Sequence, residues 1–586
     1  MVSRFPVAVV DDPPADLPDL LGRLVRRDPV ARAVIDIAPG GRAVEVSRAQ
    51  LWRRTVALAE RLAEAGIGAG DCVAVWLPNW SDALCWQFAT AALGAHVIGV
   101  NTRYNVDEVT HLLTMARPRL VAVAHGFHGL DLRERLVEAA RRATVGPLGS
   151  AASEAARSAP DVPTGPPQVA VVPGPETPAP TAAEVAGYDL GAGAWAVPPA
   201  RPPARPPARP PARTARPAAL PRLAPSDPDA LAVAFTTSGS TGRPKLAAHR
   251  GGGVLGHAVA DAAAIGLVAG DVLLCGVPLA GTYGFSAAMA ALAGGATVLL
   301  EPVFDADAVL DDMATHRVSH VVGGDDLGQR LERAWRARPR DLSGWRWWGA
   351  ANFQGRLVEL ARWAEESFGT TTAGLYGSSE VFALTSMWPA DEPPPRRWEG
   401  GGRVVTPDIR VRVVDPETGL ALPPGQEGEL RFLGPNVVDG YLGDPSVAAR
   451  ARDGDGWFRS GDLGYLVDEG VFVYTCRMGD ALRLRGFLVD PAEIEQRLAE
   501  HPGVDVAKVV GIEGGDGGTR AVGFVVPADP AAAPTSAALR DWCAATLAKF
   551  KVPDAVHVID EMPTTAGPNG TKILNTTLRD WALRRS

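Results

Sequence analysis

Two rhythms alternate along the chain, an apolar repeat near helical spacing and short continuous apolar runs, and each switch between them marks a new element. Leu51, Leu58, Leu62 and Ala65 recur near the helical period and stop at Gly66, which predicts a helix closed by a glycine cap. Residues 72–77 then read as a strand, 81–93 as a helix, 96–100 as a strand, 107–115 as a helix and 120–124 as a strand. Strands that alternate with helices need crossover connections, which are right-handed and set the strands parallel, so the expected fold class is α/β with doubly wound sheets. The rhythm resumes after residue 245 with strands over 318–322 and 345–350, and a second set over 404–414 and 429–432 predicts a β-rich subdomain. Beyond Gly479 the order changes to helices over 491–499 and 539–550 and strands over 507–512 and 521–526, a small α+β domain. The expected division is a large domain over 1–478 and a small one over 479–586.

Two stretches break the rhythm. Residues 272–300 carry no charge, long enough for the crude criterion of a membrane span. Pro278 and five glycines between Gly276 and Gly295 divide the run, so it reads instead as strand, turn, buried helix and strand, with no membrane span. Over 142–225 the pattern collapses into Ala, Pro, Gly and Arg, and Pro-Pro-Ala-Arg occurs four times between Pro198 and Arg213. That composition builds no core, so the stretch is expected to be a flexible or polyproline-like insertion. Its arginines either keep a linker solvated or meet an acidic partner.

At 586 residues the chain exceeds what one core supports, in agreement with two or more domains. A net charge of −9 argues against nucleic acid or an anionic membrane as the main partner. Five cysteines form no Cys-x-x-Cys pair and are odd in number, which indicates neither a disulfide framework nor a zinc site and fits a reducing cytoplasm. The segment Met1-Val2-Ser3-Arg4-Phe5-Pro6 lacks the apolar core of a signal peptide.

The candidate chemistry begins at Thr236-Thr237-Ser238-Gly239-Ser240-Thr241-Gly242-Arg243-Pro244-Lys245, five hydroxyls, two glycines and a lysine after an apolar strand-like run. Glycine permits the positive φ angles and close backbone approach of an anion cradle, so the segment reads as a phosphate loop; a polar surface turn is the alternative. It is not the Walker form. In Tyr376-Gly377-Ser378-Ser379-Glu380 a tyrosine offers a flat face for a purine, and a glutamate four residues on is a hard oxygen ligand suited to Mg²⁺. In Ser460-Gly461-Asp462 a carboxylate on a glycine turn can accept both ribose hydroxyls. Each of these alone is also an ordinary turn.

The set resembles the adenylate-forming superfamily of acyl-CoA synthetases, peptide-synthetase adenylation domains and luciferases. Thr237 to Lys245 follow that family's phosphate-loop signature, and Tyr376 to Glu380, Trp457 to Asp462, Arg477 to Glu495 and Pro563 to Ile573 follow its later motifs in order. The resemblance implies that Thr237, Ser238, Gly239, Ser240, Thr241, Gly242 and Lys245 hold phosphate, and that Ala351, Tyr376 and Gly377 lie on the adenine side. It further implies that Ser379 faces the α-phosphate, Glu380 holds the metal, Asp462 takes the ribose, Arg477 reaches the ribose or phosphate, and Lys572 bridges carboxylate and α-phosphate. Departures are present: Thr236 replaces an aromatic, His249 follows the lysine sooner than the family's Thr-His pair, Gly479 replaces a hinge Asp or Lys, and the lysine loop is lengthened.

The implied reaction consumes ATP with Mg²⁺, joins a carboxylic acid to AMP with release of pyrophosphate, and passes the acyl group to coenzyme A after the small domain turns about Gly479. The chain runs fourteen residues past Lys572, too few for a fused carrier domain, so the thiol is expected from outside. Transfer to a carrier protein in trans, an amine or another nucleophile is the alternative, and a non-catalytic scaffold a third. Pro278 to Gly284 lacks the histidine usual in the motif beside the acyl pocket. Asp325 and Asp326 suit either a polar or amine-bearing acid or simple helix capping, the latter preferred.

Overall fold

The computed structural model describes residues 13–145, 165–198, 223–237, 245–353, 355–443, 447, 450–478, 482–484, 487–489, 491–513, 519–547, 549–567 and 570–585. Among these, a central set of parallel strands runs Leu231–Thr237, His96–Gly99, Cys72–Trp76 and Leu120–His125 in spatial order. Val73 is in register with Val97 on one side and Leu120 on the other. These strands are apolar almost without interruption because helices cover both faces. A second sheet is parallel through Thr297–Leu300, Val272–Cys275, His320–Gly324, Trp347–Ala351 and Thr371–Ser378. It then continues antiparallel through Phe382–Met387, Gly401–Val404, Val471–Arg477, Phe458–Asp468, Gly428–Leu433 and Arg410–Val414. The expected doubly wound sheets and β-rich subdomain are both present.

The uncharged run resolves into the strand Val272–Cys275, the helix Thr282–Ala293 and the strand Thr297–Leu300. Residues from Thr282 to Leu292 are buried throughout, the signature of a helix apolar on every side inside a large core. Ala287, Ala288, Ala290 and Ala291 supply little bulk, so this helix packs closely on the helix Gly251–Ile265 and the strand Phe382–Met387. Among the described residues no helix is long and apolar enough to cross a membrane.

Two expectations need correction. The stretch 142–225 is not a featureless insertion: residues 165–198 are ordered, and Gln168–Pro173 and Ala194–Ala196 extend the first sheet by two parallel strands beside Leu120–His125. The β-branched run Val169-Ala170-Val171-Val172 carries that strand and is wholly buried, a short signal hidden in the surrounding Ala and Pro. The Pro-Pro-Ala-Arg repeats lie outside the described residues. The helix expected over 539–550 instead spans Ser536–Ala544, capped by Thr535, with a separate 3₁₀ turn at Lys549–Lys551.

The small lobe is built on Val504–Glu513, Thr519–Pro527 and Ala555–Val558. Val504, Ala507 and Val509 face a core with Ile494, Leu498 and Leu539, while Val510 and Ile512 pack with Leu578 on the other side. An ion pair of 3.0 Å from Arg356 to Asp505 joins the lobes.

Helix Asp325–Ala337 lies against the strand Trp347–Ala351 through Gly328, where a Cβ would overlap the indole of the fully buried Trp348. Gly328→Ala should destabilise the large lobe by about 1–3 kcal/mol, the cost of overpacking a tight core, measured by urea denaturation followed through tryptophan fluorescence.

Candidate nucleotide site

The strands Leu231–Thr237 and Lys245–Arg250 pair antiparallel as a hairpin with Thr237 opposite Lys245. Ser238, Gly239, Ser240, Thr241 and Gly242 lie outside the described residues; Thr237 and Lys245 frame them. Thr236 is buried and its hydroxyl pairs with the Tyr104 phenol at 2.8 Å, which accounts for a polar residue at that strand position.

Three distant segments meet beside this hairpin. Ser379 is buried; its hydroxyl donates to Thr236 O at 3.4 Å and accepts from the Thr282 hydroxyl at 3.2 Å. Glu380 accepts from the Tyr441 phenol at 3.3 Å, and Lys245 Nζ lies 5.5 Å from the centre of the Tyr441 ring. Tyr441 is pinned there because Gly440–Tyr441 forms a short edge strand beside Ala247 and Ala248. Gly377 must be glycine, since a Cβ would sit 2.5 Å from Phe382 O and 2.6 Å from Ala383 Cα, where the chain folds back across it.

Tyr376 is more enclosed than a bare purine platform. Its ring stacks on Phe432 at 5.4 Å and meets Phe472 edge-on at 5.3 Å, and its phenol donates to Asp462 Oδ2 at 2.6 Å. Asp462 and Arg477 face each other across the pair of strands Phe458–Asp468 and Val471–Arg477, with Arg477 Nε 3.0 Å from Asp462 Oδ1. Burial, and then the adjacent Asp462 charge, push the Tyr376 phenol well above its ordinary value, so it stays a donor. The same aspartate raises Arg477. Ala351 ends the strand Trp347–Ala351, half-buried.

The backbone of Lys572 lies on the strand Gly570–Ile573 of the small lobe, opposite Thr565. Gly479 lies outside the described residues. Asp325 accepts from the backbone N–H groups of Phe353 and Arg356, at 2.9 and 3.0 Å, so it braces the start of the helix Leu357–Phe368 rather than its own. The capping expectation is therefore corrected: Asp325 caps no first-turn N–H, because its oxygens are taken by the backbone that leads into the neighbouring helix. Tyr441 carries no sequence signal of its own, and Thr282 sits in the Pro278 to Gly284 stretch read only for its missing histidine; both are brought in by tertiary packing. A small apolar cavity of about 30 Å³ lies behind Leu279 and Ala280, and none of the gathered site residues lines it.

Comparison with known proteins shows the family. Residues 22–442 match the AMP-binding enzyme family and residues 493–567 match the AMP-binding enzyme C-terminal domain. The chain belongs to the AMP-binding enzyme family. It is 30% identical over 577 residues, 97% of this chain and 99% of the relative, to a methyl-dioxo-octahydro-indenyl-propanoyl:CoA ligase of Rhodococcus jostii (strain RHA1). It is 29% identical over 551 residues, 93% of this chain and 95% of the relative, to a feruloyl-CoA synthase of an Amycolatopsis species. Its fold matches ATP-bound MatB from Rhodopseudomonas palustris with a TM-score of 0.76 at 24% identity, covering 97% of this chain and 99% of that one.

Asp325 is wholly buried, and its removal leaves two backbone donors without partners. Asp325→Ala should cost about 2–4 kcal/mol, with Asp325→Asn costing less because one acceptor remains, as read by chemical denaturation.

Proposed function

We propose that the chain is an AMP-forming acid–thiol ligase: it activates a carboxylic acid with ATP and transfers the acyl group to coenzyme A. The observation that carries this is the contact chain from Thr236 through Ser379 and from Lys245 through Tyr441 to Glu380, which gathers the phosphate-loop hairpin and the Glu380 turn at one cleft beside the Tyr376–Asp462–Arg477 cluster. The full-length CoA ligase relatives support the acceptor.

In this reading the hairpin donors, from Thr237 to Lys245, and Ser379 hold the phosphates, Ala351, Gly377 and the side of Tyr376 away from Phe432 bound the adenine, and Asp462 and Arg477 take the ribose. Glu380 is a single half-buried carboxylate, and no cluster of three acidic, His or Cys side chains occurs among the described residues. That donor set fits Mg²⁺, which takes one or two carboxylates and completes its shell with substrate phosphates and water; when bound it neutralises phosphate charge. The substrate carboxylate attacks the α-phosphorus in line, the bond to the β-phosphate oxygen breaks and pyrophosphate leaves. Lys572 and the loop N–H groups meet the charge that develops, so the protein contributes positioning and electrostatics. The small lobe then turns about Gly479, a residue with no Cβ to restrict it, and the thiolate attacks the acyl carbon and displaces AMP. All five cysteines are buried and none is in a disulfide, which suits a reducing cytoplasm.

The test is exchange of labelled pyrophosphate into ATP across a panel of aromatic and alicyclic acids, with thioester formation scored with and without coenzyme A. Exchange with thioester product is expected. Exchange without thioester points to a carrier protein, an amine or another nucleophile as acceptor, and no exchange with any acid overturns the reading. Lys572→Ala should lower exchange by about 10²–10³-fold, the scale of losing one transition-state donor, while thioester formation from supplied acyl-adenylate stays within a few-fold.

A further inference from the structure

The turn that carries Ser379 and Glu380 runs from the strand Thr371–Ser378 into Phe382–Met387 through two bulky residues in the left-handed region, Phe382 at φ 62° and Leu384 at φ 69°. Such residues hold that conformation only where their surroundings impose it, and clusters of them accompany functional sites. Here the surroundings are explicit. The carbonyls from Ser379 to Ala383 meet named donors: Ser379 O takes His249 Nε2 at 2.8 Å, Glu380 O takes Val438 N at 2.6 Å, Val381 O takes Asn436 Nδ2 at 2.7 Å and Ala383 O takes His257 Nε2 at 2.8 Å, while the one Thr385 hydroxyl proton is shared between Val381 O at 2.5 Å and Phe382 O at 2.8 Å. The two imidazoles also flank the Phe382 ring, with centroids 4.1 and 4.9 Å away.

A carbonyl can only accept, so each Nε2 carries the proton. Burial lowers both histidines to about 4, which keeps them neutral with a single N–H apiece. Asp261 Oδ2 lies 3.3 Å from His257 Nε2, and full burial pushes that carboxyl well above its ordinary value. Each histidine therefore has one N–H to give, and both give it to the Glu380 turn.

We propose that His249 and His257 are positioning residues for the metal–nucleotide complex: acting through the backbone on either side of Glu380, they aim its carboxylate and the Ser379 hydroxyl. This rests on the nucleotide-site reading above and assigns the orientation of its acidic ligand to two side chains on the wall behind it. A purely structural pair would fill space and add stability without affecting how tightly the site takes a metal–nucleotide.

The test uses the full chain, with Mn²⁺ as probe in the presence of α,β-methylene-ATP, and reads bound metal by electron paramagnetic resonance alongside the thermal midpoint. In His257→Gln the amide nitrogen reaches the place of Nε2 and keeps the donor; in His257→Asn it falls short, and His257→Leu has none. The Asn and Leu variants should weaken Mn²⁺ binding about tenfold, the scale of one buried hydrogen bond, with the Gln variant within about threefold of the unmodified chain. Leu310→Ala, a buried change in the core behind the second sheet, should lower the thermal midpoint and leave Mn²⁺ affinity unchanged. If His257→Leu does not fold, the Asn–Gln pair decides. Unchanged affinity in the Asn variant overturns the positioning role, as does loss of affinity that tracks the thermal midpoint across all variants, Gln and Leu310→Ala included. An unmodified chain that binds no Mn²⁺ with the analogue overturns the site reading itself, and the positioning role with it.

Discussion

The hydroxyl of Ser379 sits where the two large sheets come together, and much of the site depends on that meeting. It donates toward Thr236 on the first sheet and accepts from Thr282 at the start of the buried helix, while its own chain belongs to the second sheet. The helix Thr282–Ala293 makes the approach possible: alanines along its length let helix and sheet backbones close in on each other, and Gly281 precedes it as the N-terminal flank. A bulkier helix would separate the sheets and carry the hairpin of Thr237 and Lys245 away from the turn of Glu380.

Electrostatics close the other side of the cleft. Asp462 is buried, yet the Tyr376 phenol and the Arg477 guanidinium lie against its two oxygens, so the charge is compensated within the protein. A buried carboxylate without such partners would take up a proton and lose its value as an acceptor. The arrangement keeps the carboxylate paired and holds the tyrosine ring in place at the same time. Arg431, between Glu429 and Asp453, repeats the pattern in the neighbouring β-rich subdomain, where buried charges again occur as bonded sets.

Backbone strain gathers in the same neighbourhood. Phe382 and Leu384 each forgo about 1–2 kcal/mol by standing in the left-handed region, and side chains from the strand Lys245–Arg250 and the helix Gly251–Ile265 hold them there. Gly377 lets the chain fold back this closely, since a Cβ there would sit 2.5 Å from Phe382 O. The acidic side chain at the tip of the turn inherits that rigidity.

The sequence by itself determined the alternation of strands and helices through the large lobe, the small α+β lobe and the segments that supply the site, because each depends on local periodicity or on short motifs. Cys72–Trp76, Ser81–Ala91 and Pro491–Ala499 fall where the apolar pattern put them. It missed Gln168–Pro173, whose four-residue apolar run is too short to stand out from a background of alanine and proline. Only the tertiary structure decided that Tyr441 bonds Glu380, that Asp325 braces the neighbouring helix and that His257 grips the Glu380 turn. Those contacts span 28, 61 and 126 residues of chain for Asp325, Tyr441 and His257 in turn. A hydrogen bond between residues so far apart leaves no trace in local spacing, since it forms only where packing brings donor and acceptor together.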